Sequence, residues 1–256
     1  MKKHILLAVA VCSAFILKAG DKDLLSHGGG GDSKLTIGLS VGAALPMSAY
    51  GAKATDTASS TQNDSTHVQN GFASTGFHFD VTASYMFADH IGGQVMIGGN
   101  MNSFDVATYK TVNNIKSPET FTANNYYIGQ YLVGPVLSFG DKLKLNIRVL
   151  VGLVTSNATV ITETNGQSGG AEASFTRTGN PGSGFGYNFG AGIKYNFNDK
   201  MGLLVNVDYL GSTLSYTGYG QSSTFFGTTS STTNTTLKQT MALGMVNASV
   251  GIAFNL

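Results

Sequence analysis

From residue 34 onward, apolar and polar residues exchange places at nearly every step along the chain, the period that sends successive side chains to opposite faces of a β-strand. In the first such segment Leu35, Ile37, Leu39, Val41 and Ala43 alternate with Thr36, Gly38, Ser40 and Gly42. The second is cleaner: Phe77, Phe79, Val81, Ala83, Tyr85 and Phe87 occupy one face, and His78, Asp80, Thr82 and Ser84 lie on the other. Six more segments follow, at residues 91–101, 127–139, 143–153, 185–195, 203–209 and 246–256, each opposing an apolar face to Gly, Asn, Gln and a few charges. Eight segments of this length match tilted strands of about 9–11 residues that cross a bilayer.

The connections alternate between very short and very long. Tight turns fall at residues 88–90, 140–142 and 198–200, and long polar loops at 47–70, 102–125, 155–182 and 212–239. Connections of that length on one end only are the mark of an up-and-down barrel in an outer membrane, with short periplasmic turns and long exterior loops. The predicted fold is therefore all-β: an eight-stranded antiparallel up-and-down transmembrane β-barrel with four long extracellular loops. Its apolar face points to lipid, and Gly, Ser, Thr, Asn and Gln point into the lumen. Closure is required, because in hydrocarbon every backbone amide needs a partner. Tyr85, Phe87, Phe139, Tyr195, Phe197 and Phe254 fall near the tight-turn end and Tyr127, Phe185 and Tyr209 nearer the loops, as two interfacial girdles require.

Composition sharpens this picture. Of 256 residues only 11% are charged, with 34 Gly, one Cys and no Trp. The mean hydropathy is +0.06, because the apolar and polar faces average out. A formal charge of +1 with basic residues scattered singly offers no stripe for nucleic acid. The first residues read as an export signal: Lys2 and Lys3, an apolar run from Ile5 to Leu17, then small residues at Ala19 and Gly20. The expected organisation is a signal peptide at 1–19, a flexible Gly-rich lead-in at 20–33 and the barrel at 34–256. Cleavage after Ala19 removes Cys12 and the three lysines Lys2, Lys3 and Lys18, which takes Lys+Arg from 15 to 12 against 14 Asp+Glu, a mature charge of −2.

Residues 35–46, the run Tyr131-Leu132-Val133-Gly134-Pro135 leading through a tight turn into 143–153, and the terminal strand 246–256 resemble the small eight-stranded outer-membrane barrels of Gram-negative bacteria. The chain is similar to the barrel domain of the OmpA-like and Opa-like proteins, often labelled porin family, over about residues 34–256. In such barrels the last strand carries the assembly signal. Val250, Ile252, Phe254 and Leu256 match its alternating apolar positions, with Leu256 standing where that family usually has an aromatic. The resemblance implies outer-membrane lipid and the barrel-assembly machinery as partners, and a host or matrix ligand for the loops.

Motifs for chemistry are weak. Gly38-Leu39-Ser40-Val41-Gly42 fits the nucleophile-elbow pattern, but the alternation places all three of Gly38, Ser40 and Gly42 inward on one strand. The Gly-rich run 182–186 has no following helix to supply an anion site. His67 and Asp64 in the first long loop have no spacing that singles them out, and His27, His67, His78 and His90 fall at different heights. No catalytic residue, metal or cofactor is therefore assigned. The inward ionisable residues Asp80, Arg148, Lys194 and Asp208, with His78, are expected to form an ion network across the lumen, since charges in a narrow barrel must pair. Asp56-Thr57-Ala58 resembles an O-glycosylation acceptor, and Gly93 and Gly99 are expected to leave smooth spots on the lipid face. The functional expectation is a non-enzymatic scaffold whose loops serve surface interaction or adhesion; the alternative is a narrow channel or small-ligand carrier through the lumen.

Overall fold

The alternating segments form β1 (Leu35–Met47), β2 (Gly76–Met86), β3 (Ile91–Asn102), β5 (Tyr126–Phe139), β6 (Leu143–Ser156), β9 (Gly182–Asn196), β10 (Met201–Phe225) and β11 (Thr228–Asn255). Three further strands, β4 (Thr120–Ala123), β7 (Ile161–Gly166) and β8 (Glu172–Gly179), lie in the connections. The computed structural model describes residues 34–53, 70–112, 120–158, 160–166, 172–225 and 228–256. The signal peptide, the lead-in, Asp56-Thr57-Ala58 and the Asp64 and His67 pair lie outside them. Among the described residues no helix is long and apolar enough to cross a membrane.

The eight long strands pair antiparallel in the order β11-β1-β2-β3-β5-β6-β9-β10, and β10 pairs back onto β11, so the sheet has no edge around the barrel. Following the ladder partners once around gives the stagger: Ile37, Ala83, Val95, Val133, Val151, Tyr187, Gly211, Gly244 and back to Met47. The path returns ten residues further along β1 than it began, from Ile37 to Met47. A stagger of that size on eight strands corresponds to a tilt of about 40° from the barrel axis, given the usual strand spacing and rise. The tight turns fall where the alternation breaks, and Gly140 takes the left-handed conformation there, φ 99°.

The exterior is apolar as the sequence predicts: Phe79, Val133, Phe189, Val207 and Val250 are all half or more exposed. The interior differs from expectation. Ser40, His78, Asp80, Asn206 and Asp208 point inward and are buried, but so are Met96, Ile128, Leu132, Leu150, Val154, Leu210, Leu214 and Met245. Polar and apolar side chains share the lumen: Arg148, Lys194 and Asn206 lie toward the tight turns, His78, Asn100 and Asn102 toward the loop ends of β2 and β3, and the apolar cluster spreads from Met96 and Leu132 to Leu214 and Met241 at the loop ends. Nor are two of the long loops irregular. β10 and β11 continue as a hairpin to Phe225↔Thr228, past an irregularity between Thr217 and Tyr219. β8, β7 and β4 add in turn to the outer part of β10, making a second sheet beyond the barrel. Threonine explains the difference: it is polar by composition yet β-branched, so a Thr-rich tract extends a strand without showing hydrophobic alternation.

Candidate functional site

The inward charges assemble into separate pairs. Arg148 on β6 and Asp208 on β10 each pair in register with Gly190 on the intervening β9. With no side chain on Gly190, the two reach across it: Arg148 Nε donates to Asp208 Oδ1 at 2.8 Å and Nη2 to Oδ2 at 2.5 Å, a two-pronged ion pair. Arg148 Nη1 also donates to Asn206 Oδ1 at 3.2 Å, and Asn206 Nδ2 donates to Ser40 Oγ at 3.4 Å. A Cβ at Gly190 would collide with Asp208 Oδ1 and fall 2.6 Å from Arg148 Nε.

His78 and Asp80 form the second pair on β2. The His78 Nε2 lies 2.9 Å from Asp80 Oδ2 and its Nδ1 lies 2.7 Å from Asn100 Oδ1. Lys194 Nζ donates to Asn255 Oδ1 at 3.1 Å and to Thr36 Oγ1 at 3.3 Å, nearer the tight turns. The side-chain amides of Asn188 and Asn247 are buried, with neither O nor N bonded to a protein group among the described residues. Such amides are ordinarily satisfied by ordered water.

Toward the loops, side chains fill the mouth of the lumen. A short helix, Ser48–Gly51, follows β1 and inserts Tyr50, which is fully buried. Its hydroxyl donates to Asn102 Oδ1 at 3.1 Å, and Asn102 Nδ2 donates to the carbonyls of Ala44 and Ser74. Burial pushes the Tyr50 phenol well above its ordinary pKa. The Tyr50 ring meets Tyr126 edge-on at 5.1 Å, and Tyr126 donates to the carbonyl of Gly71 at 2.7 Å. Phe72, Phe104, Tyr109 and Phe121 continue the aromatic cluster outward, with Tyr109 stacked on Phe121 at 4.7 Å. Asp105 fixes this cover: it caps the helix Val106–Val112 through the Thr108 amide at 3.0 Å and holds Lys53 Nζ at 2.6 Å. Those bonds keep its carboxyl at a pKa of about 2. Ser48 and Phe72, both at positive φ, mark where the chain turns into and out of the cover.

The remaining sequence candidates sit in regular strands. Ser40 and its flanking glycines run straight through β1, and residues 182–186 open β9. Among the described residues no group of three or more His, Cys, Asp or Glu could hold a metal. Val250, Ile252, Phe254 and Leu256 lie along the outward face of the last strand and its end, with Val250 and Ile252 exposed. Gly93 and Gly99 are not smooth spots, because the rings of Phe87 and Phe79 fold over them. The sequence reading missed the apolar residues of the lumen. Its signal was the doublets that put apolar residues on both faces, Tyr127-Ile128, Val149-Leu150, Leu153-Val154 and Tyr209-Leu210.

Closure, stagger and an apolar exterior give the chain the architecture of the small eight-stranded outer-membrane β-barrels. No protein-family model matches the chain, and no curated protein sequence does. Solved structures do. Ail, the attachment invasion locus protein of Yersinia pestis, is 12% identical with a TM-score of 0.41, covering 87% of this chain and 99% of that one. Neisserial surface protein A is 13% identical with a TM-score of 0.38, over 89% and 100% of the two chains. The outer membrane protein OprG from Pseudomonas aeruginosa is 12% identical with a TM-score of 0.42, over 88% and 98%.

Proposed function

We propose that this chain is a non-enzymatic outer-membrane scaffold, exported by the signal peptide at 1–19, that holds its long connections outside the cell for surface interaction. One observation carries the reading: the fold invests in the exterior. β10 and β11 continue well beyond the barrel and recruit β8, β7 and β4 into a sheet there, while the mouth beneath is filled by Tyr50 and its aromatic neighbours. A rigid barrel presenting a structured exterior fits recognition. The filled mouth weighs against passage of solutes along the lumen.

In this reading the buried pairs Arg148–Asp208 and His78–Asp80 are structural, and Lys194 ties the tight-turn end together through Asn255 and Thr36. Val250, Ile252, Phe254 and Leu256 serve as the assembly signal read by the barrel-assembly machinery. Cells displaying the chain test the function. Binding to host cells or extracellular matrix should be lost when residues 218–237 are removed and the β10–β11 hairpin is closed by a two-residue turn between Thr217 and Lys238. The barrel of that variant should still show heat-modifiable mobility. Binding unchanged by the deletion, or a chain absent from the outer-membrane fraction, would overturn the proposal.

A further inference from the structure

The tight turns share a sequence that strand reversal does not demand. Phe87-Ala88-Asp89-His90-Ile91, Phe139-Gly140-Asp141-Lys142-Leu143 and Phe197-Asn198-Asp199-Lys200-Met201 each read aromatic, any residue, aspartate, basic, aliphatic. The structure places them equivalently. The three phenylalanines are 68%, 42% and 58% exposed on the outer face, and Ile91, Leu143 and Met201 are exposed beside them. The backbone closes alike at two of the turns, with Phe87 N–H donating to the Ile91 carbonyl and Phe197 N–H to the Met201 carbonyl, both at 2.9 Å.

The charged pairs stand at the rim just beyond these apolar residues, all of them exposed. Two of the basic side chains rest on aromatic rings: His90 stacks on Phe139 at 5.4 Å, and Lys142 Nζ sits 5.5 Å from the Tyr195 ring centre. Among the described residues the Asp89, Asp141 and Asp199 carboxylates have no hydrogen-bond or ion-pair partner. Exposed Phe and Tyr at a barrel end lie at the level where hydrocarbon gives way to headgroups. Each turn therefore offers headgroups one carboxylate acceptor and one basic donor side by side.

We propose that the three turns form a rim that binds zwitterionic phospholipid headgroups carrying a primary ammonium, one to each turn. The carboxylate accepts from the ammonium, and Lys142 or Lys200 donates to the phosphate; at the first turn His90 Nδ1 lies 3.1 Å from the Ser138 carbonyl, which leaves the imidazolium Nε2–H for the phosphate. A headgroup with a quaternary ammonium has no N–H to give. An anionic headgroup meets the aspartate as a like charge. The inference rests on the membrane-barrel reading above and adds the lipid class and the residues that select it.

The test is native mass spectrometry of the full-length chain, refolded in detergent and titrated with dioleoyl phosphatidylethanolamine, phosphatidylcholine or phosphatidylglycerol. Phosphatidylethanolamine should be retained in preference to both others. The D89N/D141N/D199N variant should lose that preference by about threefold or more, the scale expected of exposed charge pairs acting together. The H90Q/K142Q/K200Q variant should lose retention of phosphatidylethanolamine too, and heat-modifiable mobility establishes that each variant is folded. Equal retention of the three lipids, a preference for phosphatidylglycerol, or an unchanged preference in the Asn variant overturns the proposal. A chain that inserts into vesicles without the preference refutes the rim alone; a chain that does not insert refutes the membrane reading beneath it.

Discussion

Arg148 and Asp208, 60 positions apart in the chain, meet in a two-pronged ion pair directly over Gly190. The pair fastens three neighbouring strands on the inside of the barrel, where Arg148 is 5% and Asp208 1% exposed. Breaking such a buried pair on one side typically costs about 3–5 kcal/mol, since the survivor keeps its desolvation cost without its partner. Arg148→Met is therefore expected to lower the unfolding temperature in detergent, with Asp208→Leu behaving similarly. The double variant should recover much of the loss, because an apolar pair of similar volume has no charge to strand. An unchanged unfolding temperature in Arg148→Met would remove the pair from the account.

Gly190 is a second test of the same geometry. A methyl group there meets Asp208 Oδ1 and Arg148 Nε, which hold each other, and Arg148 is held by Asn206 as well. Gly190→Ala should destabilise the barrel by about 1–3 kcal/mol, the usual cost of overpacking. In the Arg148→Met/Asp208→Leu background the cost should change, and a thermal-unfolding cycle over the three positions reads that coupling. Purely additive effects would mean that the pair does not lie over this glycine.

Tyr50 carries the closure of the mouth. It is fully buried between β-strand ends and bonded to Asn102, so Tyr50→Ala should cost about 3–5 kcal/mol. Tyr50→Phe, which keeps the ring and loses one hydrogen bond, should cost about 1 kcal/mol. Thermal unfolding of both variants checks the order; equal and small losses would show that the cork contributes little.

Asp105 ties the cover through Thr108 and Lys53, and its folded pKa is about 2. An unfolded aspartate titrates at about 4, so the stabilisation is present above that pH and is lost as pH falls toward about 2. The magnitude should stay below about 1 kcal/mol, because Lys53 is 41% exposed and screened by solvent. The Thr108 amide proton, which donates to Asp105 Oδ1, reports the carboxyl directly by NMR. Its titration midpoint should fall near 2; a midpoint near 4 would mean that the cap and the Lys53 pair do not form in solution.

Strand number, strand facing and the tight turns were legible in the sequence because each strand of the barrel shows lipid a continuous apolar face, so the period of two survives in residues such as Phe77, Phe79 and Val81. The interior was only half legible. A position such as Leu150, between Val149 and Val151, reads as part of an apolar run, and nothing local says that it points into the lumen and joins the buried cluster that includes Val154 and Leu132. The ion pairs illustrate the same limit. The alternation turns Arg148, Asp208 and Asp80 inward, but which of them touch depends on the stagger around the whole barrel. That stagger brings Arg148 and Asp208 to one glycine and leaves Asp80 with His78. The outer hairpin was hidden for a different reason, since a Ser- and Thr-rich strand outside the membrane has no apolar face to display.

The central claim is that the lumen is a packed, closed interior and the exterior sheet is where the molecule acts. Planar-bilayer conductance of the refolded chain tests it most directly. With insertion verified by heat-modifiable mobility of the same preparation, the account predicts membranes no more conductive than protein-free ones. Reproducible single-channel steps from the unmodified chain, absent from protein-free membranes, would contradict it.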